Sequence, residues 1–175
     1  MKTIYFLRHA KSSWKDAELS DIDRPLNKRG KLNAPLMGRH MRKLKVKPQL
    51  IISSPSKRTM TTALIVADKI GYEERNIKID MHLYGANVAQ IAQLVHHLDD
   101  NLKKVMIVGH NPAFTLIVDY FTGKPIDNLP TCGLVQIDFK AKTWKEIVPK
   151  AGSLELFEFP KKVEDLEKKK VKKEA

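Results

Sequence analysis

The stretch TIYFLRHAKSSW at residues 3–14 predicts a buried β-strand that ends in an Arg-His pair. Residues 3–7 carry no charge and are rich in β-branched and aromatic side chains, which is typical of a strand buried on both faces of a sheet. Arg8 and His9 follow at once, so we expect them at the carboxyl end of that strand. An isolated basic pair is more often a surface feature than a site, so its role depends on what the rest of the chain brings to it.

Two further apolar runs, LIIS at residues 50–53 and KVMIV at 104–108, predict strands of the same kind. Helical periodicity lies between and after them, at residues 28–44, 55–70, 87–98 and 111–121. Strands that alternate with helices predict a three-layer α/β/α sandwich around a mostly parallel sheet. Residues 134–139 alternate apolar and polar side chains instead, which predicts an antiparallel edge strand.

Proline, serine and glycine predict where the helices begin and end. We expect Pro35 to kink or break the first helix early, because it lacks the N–H that the helical ladder needs. Ser54 is expected to cap the second helix, with Pro55 at its first position and Gly71 as its stop. Pro112 is expected at the first position of the helix that follows Asn111.

The composition predicts a cytoplasmic protein without a membrane span. The chain has 175 residues, which suits one domain with a sizeable core. Its single cysteine, Cys132, excludes an internal disulfide framework and is compatible with a reducing compartment. No apolar run reaches the length of a membrane helix, and the apolar start at residues 3–7 is too short for a signal-peptide core.

The net charge of +12 is concentrated in the first third of the chain. Residues 1–60 hold fifteen Lys and Arg against four Asp and Glu, whereas residues 61–160 hold ten against twelve. A positive field of this kind attracts phosphates, nucleic acid or acidic protein surfaces, and charge alone does not choose among them. Because aromatic and basic residues do not interleave here, a dedicated nucleic-acid surface is not expected.

The ends of the three predicted parallel strands gather two arginines and two histidines. Arg8 and His9 follow the first strand, Arg58 lies in the first turn of the helix after the second, and His110 follows the third. Ligands of open α/β sheets bind at this edge, and helix N-termini there attract anions. The sequence therefore predicts a phosphoryl ligand, with His9 as a nucleophile that forms a phosphohistidine and the other three as a clamp on the phosphoryl oxygens.

These motifs resemble the histidine phosphatase (phosphoglycerate mutase-like) superfamily. FLRHAKSS resembles its Arg-His signature, SSPSKRTMTTA its arginine motif and VGHNP its second-histidine motif, while DIDRPLNKRG and LYGA are similar to the SixA-type phosphohistidine phosphatases. The resemblance covers about residues 1–160 and implies a phosphoglycerate mutase-like fold. It implies catalytic roles for Arg8, His9, Arg58 and His110 and roles in substrate binding for Asp21 and Arg24. Residues 161–175 are left as a charged tail, expected as a solvated helix or a disordered extension.

One position departs from the pattern of the superfamily. Many members carry a glutamate general acid shortly before the segment that matches LYG, but this chain reads IDMHLYG, with Met81 at that place and Asp80 beside it. Either Asp80 replaces the acid or the site has none. A site without an acid favours substrates whose leaving group departs easily, such as phosphohistidine.

The sequence thus predicts a metal-independent phosphatase without a cofactor. Its substrate is expected to be a phosphohistidine protein or another phosphorylated molecule. A small-molecule phosphomonoesterase and a non-catalytic module that binds phospho-ligands or nucleic acid remain as alternatives. His96 and His97 are adjacent on a helix and point about 100° apart, which makes a poor metal chelate. We expect Asp21 and Arg24 either to pair with each other across a turn or to contact substrate.

Overall fold

Six strands form one mixed sheet in the computed structural model, which describes residues 1–174. The strands run in spatial order β3-β2-β4-β1-β5-β6. Strands β1 to β4 are parallel to one another, β5 is antiparallel to β1, and β6 is antiparallel to β5. Their bounds are Lys2–Arg8 (β1), Leu50–Ser53 (β2), Lys78–Ile79 (β3), Lys104–Gly109 (β4), Leu134–Phe139 (β5) and Gly152–Glu158 (β6).

Helices cover both faces of this sheet, because alternate strand residues feed two separate apolar cores. In β1, Ile4 and Phe6 belong to one core and Tyr5 and Leu7 to the other. The first core includes residues of the third and fourth helices, and the second includes residues of the first, second and fifth. The predicted α/β/α sandwich is therefore confirmed. The helices are Lys28–Lys43 (α1), Lys57–Ile70 (α2), Val88–His96 (α3), Ala113–Thr122 (α4) and Pro160–Glu174 (α5).

Strand β5 is antiparallel as expected, but its predicted place at the edge is wrong. It pairs with β1 on one side and with β6 on the other, so β6 forms this edge of the sheet. The expectation failed because only β5 was recognised from its alternation of apolar and polar residues. The segment LELFE in β6 alternates apolar and polar residues only over its first three positions, which is too short a pattern to predict a strand.

Helix α1 continues through Pro35 and is not broken there, contrary to expectation. Ala34, Met37 and Met41 are buried in the same core on both sides of the proline. Tertiary burial of an apolar face stabilises a helix more than local propensity does, so it outweighs the one missing hydrogen bond. Gly71 ends α2 in the left-handed conformation, as predicted.

Two predicted helix starts are shifted by one or two residues. The cap of α2 is Ser56, whose side chain accepts a hydrogen bond from the Thr59 N–H, and not Ser54. Pro112 is itself the cap of α4 and not its first helical residue. Both shifts leave the preceding loop one or two residues longer.

Residues after 160 form a helix whose start packs on the body of the protein. Val163 is buried in the core shared with α1 and α2, while the following turns of α5 are exposed. Ala175, the last residue of the predicted charged tail, lies outside the described residues. No helix within residues 1–174 is long and apolar enough to cross a membrane.

Candidate active site

A cleft of about 490 Å³ opens at the carboxyl ends of the parallel strands. All six site residues predicted from the sequence line it, although they come from four separate parts of the chain. They are Arg8, His9, Asp21, Arg24, Arg58 and His110. The structure therefore brings together the four residues expected at the strand ends and the two, Asp21 and Arg24, that the resemblance implied.

Backbone pairing between β1 and β4 brings the two histidines together. Arg8 is in register with Gly109, and the His9 N–H donates to the Gly109 carbonyl at 3.1 Å. His110 comes next in the chain, so the two imidazoles lie side by side with their ring centroids 5.3 Å apart. On the other side, the His9 carbonyl accepts from the Cys132 N–H at 3.0 Å, which holds the His9 backbone between two segments.

The His9 ring is held in one tautomer. Its Nδ1 lies 2.8 Å from the Ala10 carbonyl oxygen, which can only accept, so Nδ1 carries the proton and Nε2 keeps its lone pair. Burial lowers the pKa of His9 to about 3, aided by the positive charges of Arg58 and Arg8, while the Ala10 hydrogen bond acts in the opposite direction. His9 is therefore a neutral imidazole with an available Nε2 at neutral pH.

His110 is also neutral, and Ser54 orients it. Burial and the charge of Arg58 lower the pKa of His110 to about 4. Its Nε2 is 2.7 Å from the Ser54 hydroxyl oxygen, which explains why this serine does not serve as the helix cap. The prediction of Ser54 as the helix cap is therefore wrong. A serine that precedes a helix has the same local sequence pattern whether it caps that helix or bonds to a distant side chain.

Arg58 is buried in the first turn of α2 and faces a carboxylate. Its two terminal nitrogens donate to the carbonyl oxygen of Asp21 at 2.5 Å and to the Asp21 carboxylate at 3.0 Å. A cation near a helix N-terminus opposes the helix dipole, which indicates a compensating anion. In this structure Asp21 is that anion.

The side chain of Asp21 lies between Arg24 and Arg58 and bonds to both. One carboxylate oxygen accepts from Arg24 at 2.9 Å, while the other accepts from Arg58 at 3.0 Å and from the Tyr84 hydroxyl at 2.6 Å. The Tyr84 hydrogen bond, with those of Arg24 and Arg58, holds the pKa of this carboxyl well below its usual range. Asp21 is consequently ionised throughout the physiological range. Of the two alternatives expected for Asp21 and Arg24, the structure shows their pairing with each other. It does not test a contact with substrate.

Arg24 uses every guanidinium nitrogen to hold the wall of the cleft. Besides Asp21, it donates to the Ser13 carbonyl at 2.9 Å and to the Ser12 hydroxyl at 2.7 Å. Its guanidinium carbon lies 3.2 Å from the centroid of the Trp14 ring, whose residue is 74% exposed. Arg24 is itself buried, so it joins residues 12–14 to residues 21–24 at the mouth of the cleft.

Tyr84 and Trp14 also line the cleft, and sequence reasoning assigned neither a role in the site. Tyr84 lay within the quoted LYGA motif, which was the one signal for it. Its ring lies edge-on to His110, with centroids 5.8 Å apart, while its hydroxyl reaches Asp21. For Trp14 the sequence offers no comparable signal, because its stacking on Arg24 depends on a distant turn.

Asp80, the one candidate for the missing general acid, does not line the cleft. Asp80 caps the short turn Met81–Leu83 by accepting from the His82 N–H at 2.8 Å, and it lines a separate hollow together with Met81. Among residues 1–174, Asp21 is the one carboxylate that lines the cleft, and it is ionised. This arrangement offers no protonated carboxyl to a leaving group.

Within residues 1–174, no three His, Cys, Asp or Glu side chains form a group that could hold a metal ion. His96 and His97 bond separately, His96 to the Ile147 carbonyl and His97 to the Gln93 carbonyl, each at 2.8 Å. Burial raises the pKa of Cys132 to about 12, so this thiol stays protonated.

Comparisons with known proteins agree with this geometry. The family model of the histidine phosphatase superfamily (branch 1) matches residues 4–94. An uncharacterised chloroplastic protein of Arabidopsis thaliana is 30% identical over 160 residues, which cover 86% of this chain and 72% of that protein.

Two solved structures share the fold over most of the chain. The SixA protein of Agrobacterium tumefaciens superposes with a TM-score of 0.79 at 25% identity, covering 91% of this chain and 98% of its own. A protein histidine phosphatase SixA in complex with tungstate also gives 0.79, at 18% identity, covering 92% and 99%.

Proposed function

Because the chain belongs to the histidine phosphatase superfamily, we propose that it is a phosphatase that removes the phosphoryl group of a phosphohistidine protein through a covalent intermediate on His9. The observation that carries this proposal is the hydrogen bond from His9 Nδ1 to the Ala10 carbonyl, at 2.8 Å. It leaves the Nε2 lone pair as the nucleophile in a cleft lined by Arg8, Arg58 and His110.

In the first step the Nε2 lone pair of His9 attacks phosphorus, and the bond from phosphorus to the leaving nitrogen breaks. The electron pair of that bond goes to the leaving imidazole, which departs as a neutral ring when its other nitrogen already carries a proton, so the cleft need not supply one. In the second step a water oxygen attacks phosphorus, the electron pair of the broken P–N bond returns to Nε2, and inorganic phosphate leaves with the protons of the water. His9 then returns to its neutral form, and no step needs a metal ion.

Three side chains in the cleft suit the charge that develops on the phosphoryl oxygens. Arg8 donates one terminal nitrogen to the Leu129 carbonyl at 2.7 Å, while its buried Nε has no acceptor within residues 1–174. The planar guanidinium of Arg58 can contact two phosphoryl oxygens at once. We propose that Arg58 exchanges its contacts with Asp21 for contacts with the phosphoryl group, and that His110 adds a hydrogen bond.

The lack of a carboxylic acid in the cleft supports an activated substrate. An alkoxide leaving group needs a proton donor, whereas the nitrogen of phosphohistidine leaves as a weakly basic imidazole. Asp21 is ionised and cannot donate, and Asp80 caps a turn outside the cleft. A shallow cleft with an exposed tryptophan at its mouth also fits a phosphoryl group presented on a protein surface.

The test is a parallel assay on a phosphohistidine-carrying protein and a panel of small phosphate esters. We expect kcat/KM to be highest for the phosphohistidine protein, and His9→Ala to lower it by at least about 10³-fold. Acid quench of the wild type should trap an acid-labile phosphoenzyme that is absent from His9→Ala. His96→Ala, which removes a histidine outside the cleft, is the matched control and should retain the phosphoenzyme.

Two results would contradict the proposal. Turnover that survives His9→Ala would exclude His9 as the nucleophile. A small ester hydrolysed far faster than any phosphohistidine protein would exclude the proposed substrate and favour a small-molecule phosphatase instead.

A further inference from the structure

A second cavity, a groove of about 740 Å³, lies between the N-terminal halves of α1 and α5. It is larger than the catalytic cleft, and basic side chains dominate its charged lining. We call it the basic groove and define it by its five cations, which are Lys15, Lys28, Arg29, Lys161 and Lys168.

The five cations of the basic groove are free to meet a partner. All five are exposed, and within residues 1–172 none of them forms an ion pair. Lys28 and Arg29 occupy the first turn of α1, where positive charge opposes the helix dipole. Their charges therefore do not stabilise the fold, and a role in recognition explains them better.

The basic groove and the catalytic cleft share a wall. Lys11 lines the cleft and Asn27 lines the groove, and the Asn27 N–H donates to the Lys11 carbonyl at 2.9 Å. Gly30 lets α1 approach this wall so closely that a Cβ there would overlap the Lys11 carbonyl. Trp14 on the cleft side is followed directly by Lys15 on the groove side. A chain that presents a phosphoryl group in the cleft can thus continue across the wall into the groove.

We propose that the basic groove docks an acidic segment of the phosphoprotein substrate while its phosphoryl group lies in the cleft. This inference rests on the proposed function, because it concerns the protein that carries the phosphoryl group. Charge complementarity is its basis: five unpaired cations beside the mouth of a phosphatase cleft attract a carboxylate-rich segment and leave a neutral one unaffected.

A protein segment fits the basic groove better than a nucleic acid does. Glu164 and Asp165 also line it, and these carboxylates can pair with a lysine of a mixed peptide, which is a contact that a phosphate backbone does not offer. Leu32, which is 65% exposed, offers an apolar contact in the same groove. None of the described lining residues is aromatic, so base stacking has no platform.

The experiment uses the full chain and two peptides that differ only in flanking charge. Each carries one phosphohistidine, followed in one peptide by six glutamates and in the other by six glutamines. We expect the ratio of kcat/KM, acidic over neutral, to be about ten in the wild type and to fall to about one in Lys28→Glu/Arg29→Glu/Lys161→Glu. New carboxylates at the start of a helix are compatible with its dipole, and circular dichroism checks that the variant is folded.

The matched control is Lys140→Glu/Lys142→Glu/Lys145→Glu, which reverses three exposed lysines in the connection after β5. This connection starts at Phe139, which pairs with Lys2 at the beginning of β1. It therefore lies at the amino ends of the parallel strands, whereas the cleft lies at their carboxyl ends. Equal net charge makes any general electrostatic effect the same in both variants. The control should keep the preference for the acidic peptide. A wild-type ratio of about one, or an equal fall of the ratio in both variants, would overturn the inference.

A binding measurement separates this inference from the proposed function. Fluorescence anisotropy of an unphosphorylated, labelled glutamate peptide needs no catalysis, and we expect binding that the groove variant weakens about tenfold. Groove-dependent binding without turnover of either phosphopeptide would support the groove and count against the phosphohistidine substrate. Binding of a single-stranded oligonucleotide of equal charge as tightly as the peptide would overturn the choice of a protein partner.

Discussion

The catalytic cleft and the basic groove are both rich in cations, but they hold them in opposite ways. In the cleft, Arg58 and Arg24 are buried and bonded to Asp21 and to the backbone. In the groove, the lysines and Arg29 are exposed and form no ion pair with any side chain of residues 1–172. The two regions lie on either side of the wall formed by residues 11–15.

This difference matches what each region has to do. A reaction gains most from donors that are already oriented before the charge develops, because they need not reorganise during the reaction. Recognition of a flexible acidic segment gains from long side chains that adapt, with each charge contributing only a little. The same residue types therefore suit the two proposed roles, and burial distinguishes them.

Among variants that disturb the oriented cations of the cleft, we expect Arg58→Lys to lower kcat/KM the most. Lysine keeps the positive charge but loses the planar fork that contacts Asp21 twice and would grip two phosphoryl oxygens. We expect kcat/KM on a small phosphate substrate to fall by about 10²-fold. Arg39→Lys, at an exposed position of α1, is the control. Equal activities of the two variants would show that charge alone, without orientation, suffices in the cleft.

A smaller effect is expected from Tyr84→Phe, which keeps the ring and removes the hydroxyl. The hydroxyl donates to Asp21 at 2.6 Å, and Asp21 in turn orients Arg58. We expect kcat/KM to fall about three- to tenfold through this indirect loss of orientation. Tyr120→Phe, on α4 and outside the cleft, should leave it unchanged. A loss as large as that of Arg58→Lys would instead place the Tyr84 hydroxyl in contact with the substrate.

The last expected effect concerns stability and its dependence on pH, not activity. Burial lowers the pKa of His9 to about 3 and of His110 to about 4, whereas both take a proton near pH 6.5 in the unfolded chain. Between about pH 6.5 and 4 the unfolded state therefore binds more protons, so the free energy of unfolding decreases as the pH falls.

Urea unfolding at pH 7 and pH 4.5 measures this loss. Comparison with His9→Asn/His110→Asn removes the contribution of the carboxyl groups, which both proteins share. We expect the wild type to lose on the order of 2 kcal/mol more than the variant. The same loss in both proteins would mean that the two imidazoles are not held neutral by burial.

Much of the cleft was predictable because it depends on chain order and on strand ends. Arg8, His9 and His110 directly follow strands whose apolar runs are evident in the sequence, and parallel strands bring their carboxyl ends to one edge. The need of His9 for a backbone acceptor was also predictable, since a neutral imidazole requires one fixed tautomer, and Ala10 provides that acceptor.

The positions of Ser54, Tyr84 and Trp14 were not predictable in the same way. Ser54 resembles a helix cap in its local sequence, but its hydroxyl bonds to His110, which is 56 residues away. Tyr84 and Asp21 are 63 residues apart and meet only across the folded cleft. Contacts of this kind depend on the packing of loops, for which local sequence patterns carry no signal.

The sequence by itself determined the three-layer fold, the arginines and histidines at the strand ends and the excess of positive charge in the first third. It did so because the 2-residue and 3.6-residue periods and the residues at strand ends are local properties of the chain. Only the tertiary structure decided that β6 lies outside β5, that Asp21 occupies the arginine clamp and that Lys161 joins Lys28 in one groove. Each of these pairs segments that are far apart in sequence, and such pairings are selected by burial and charge in the assembled molecule.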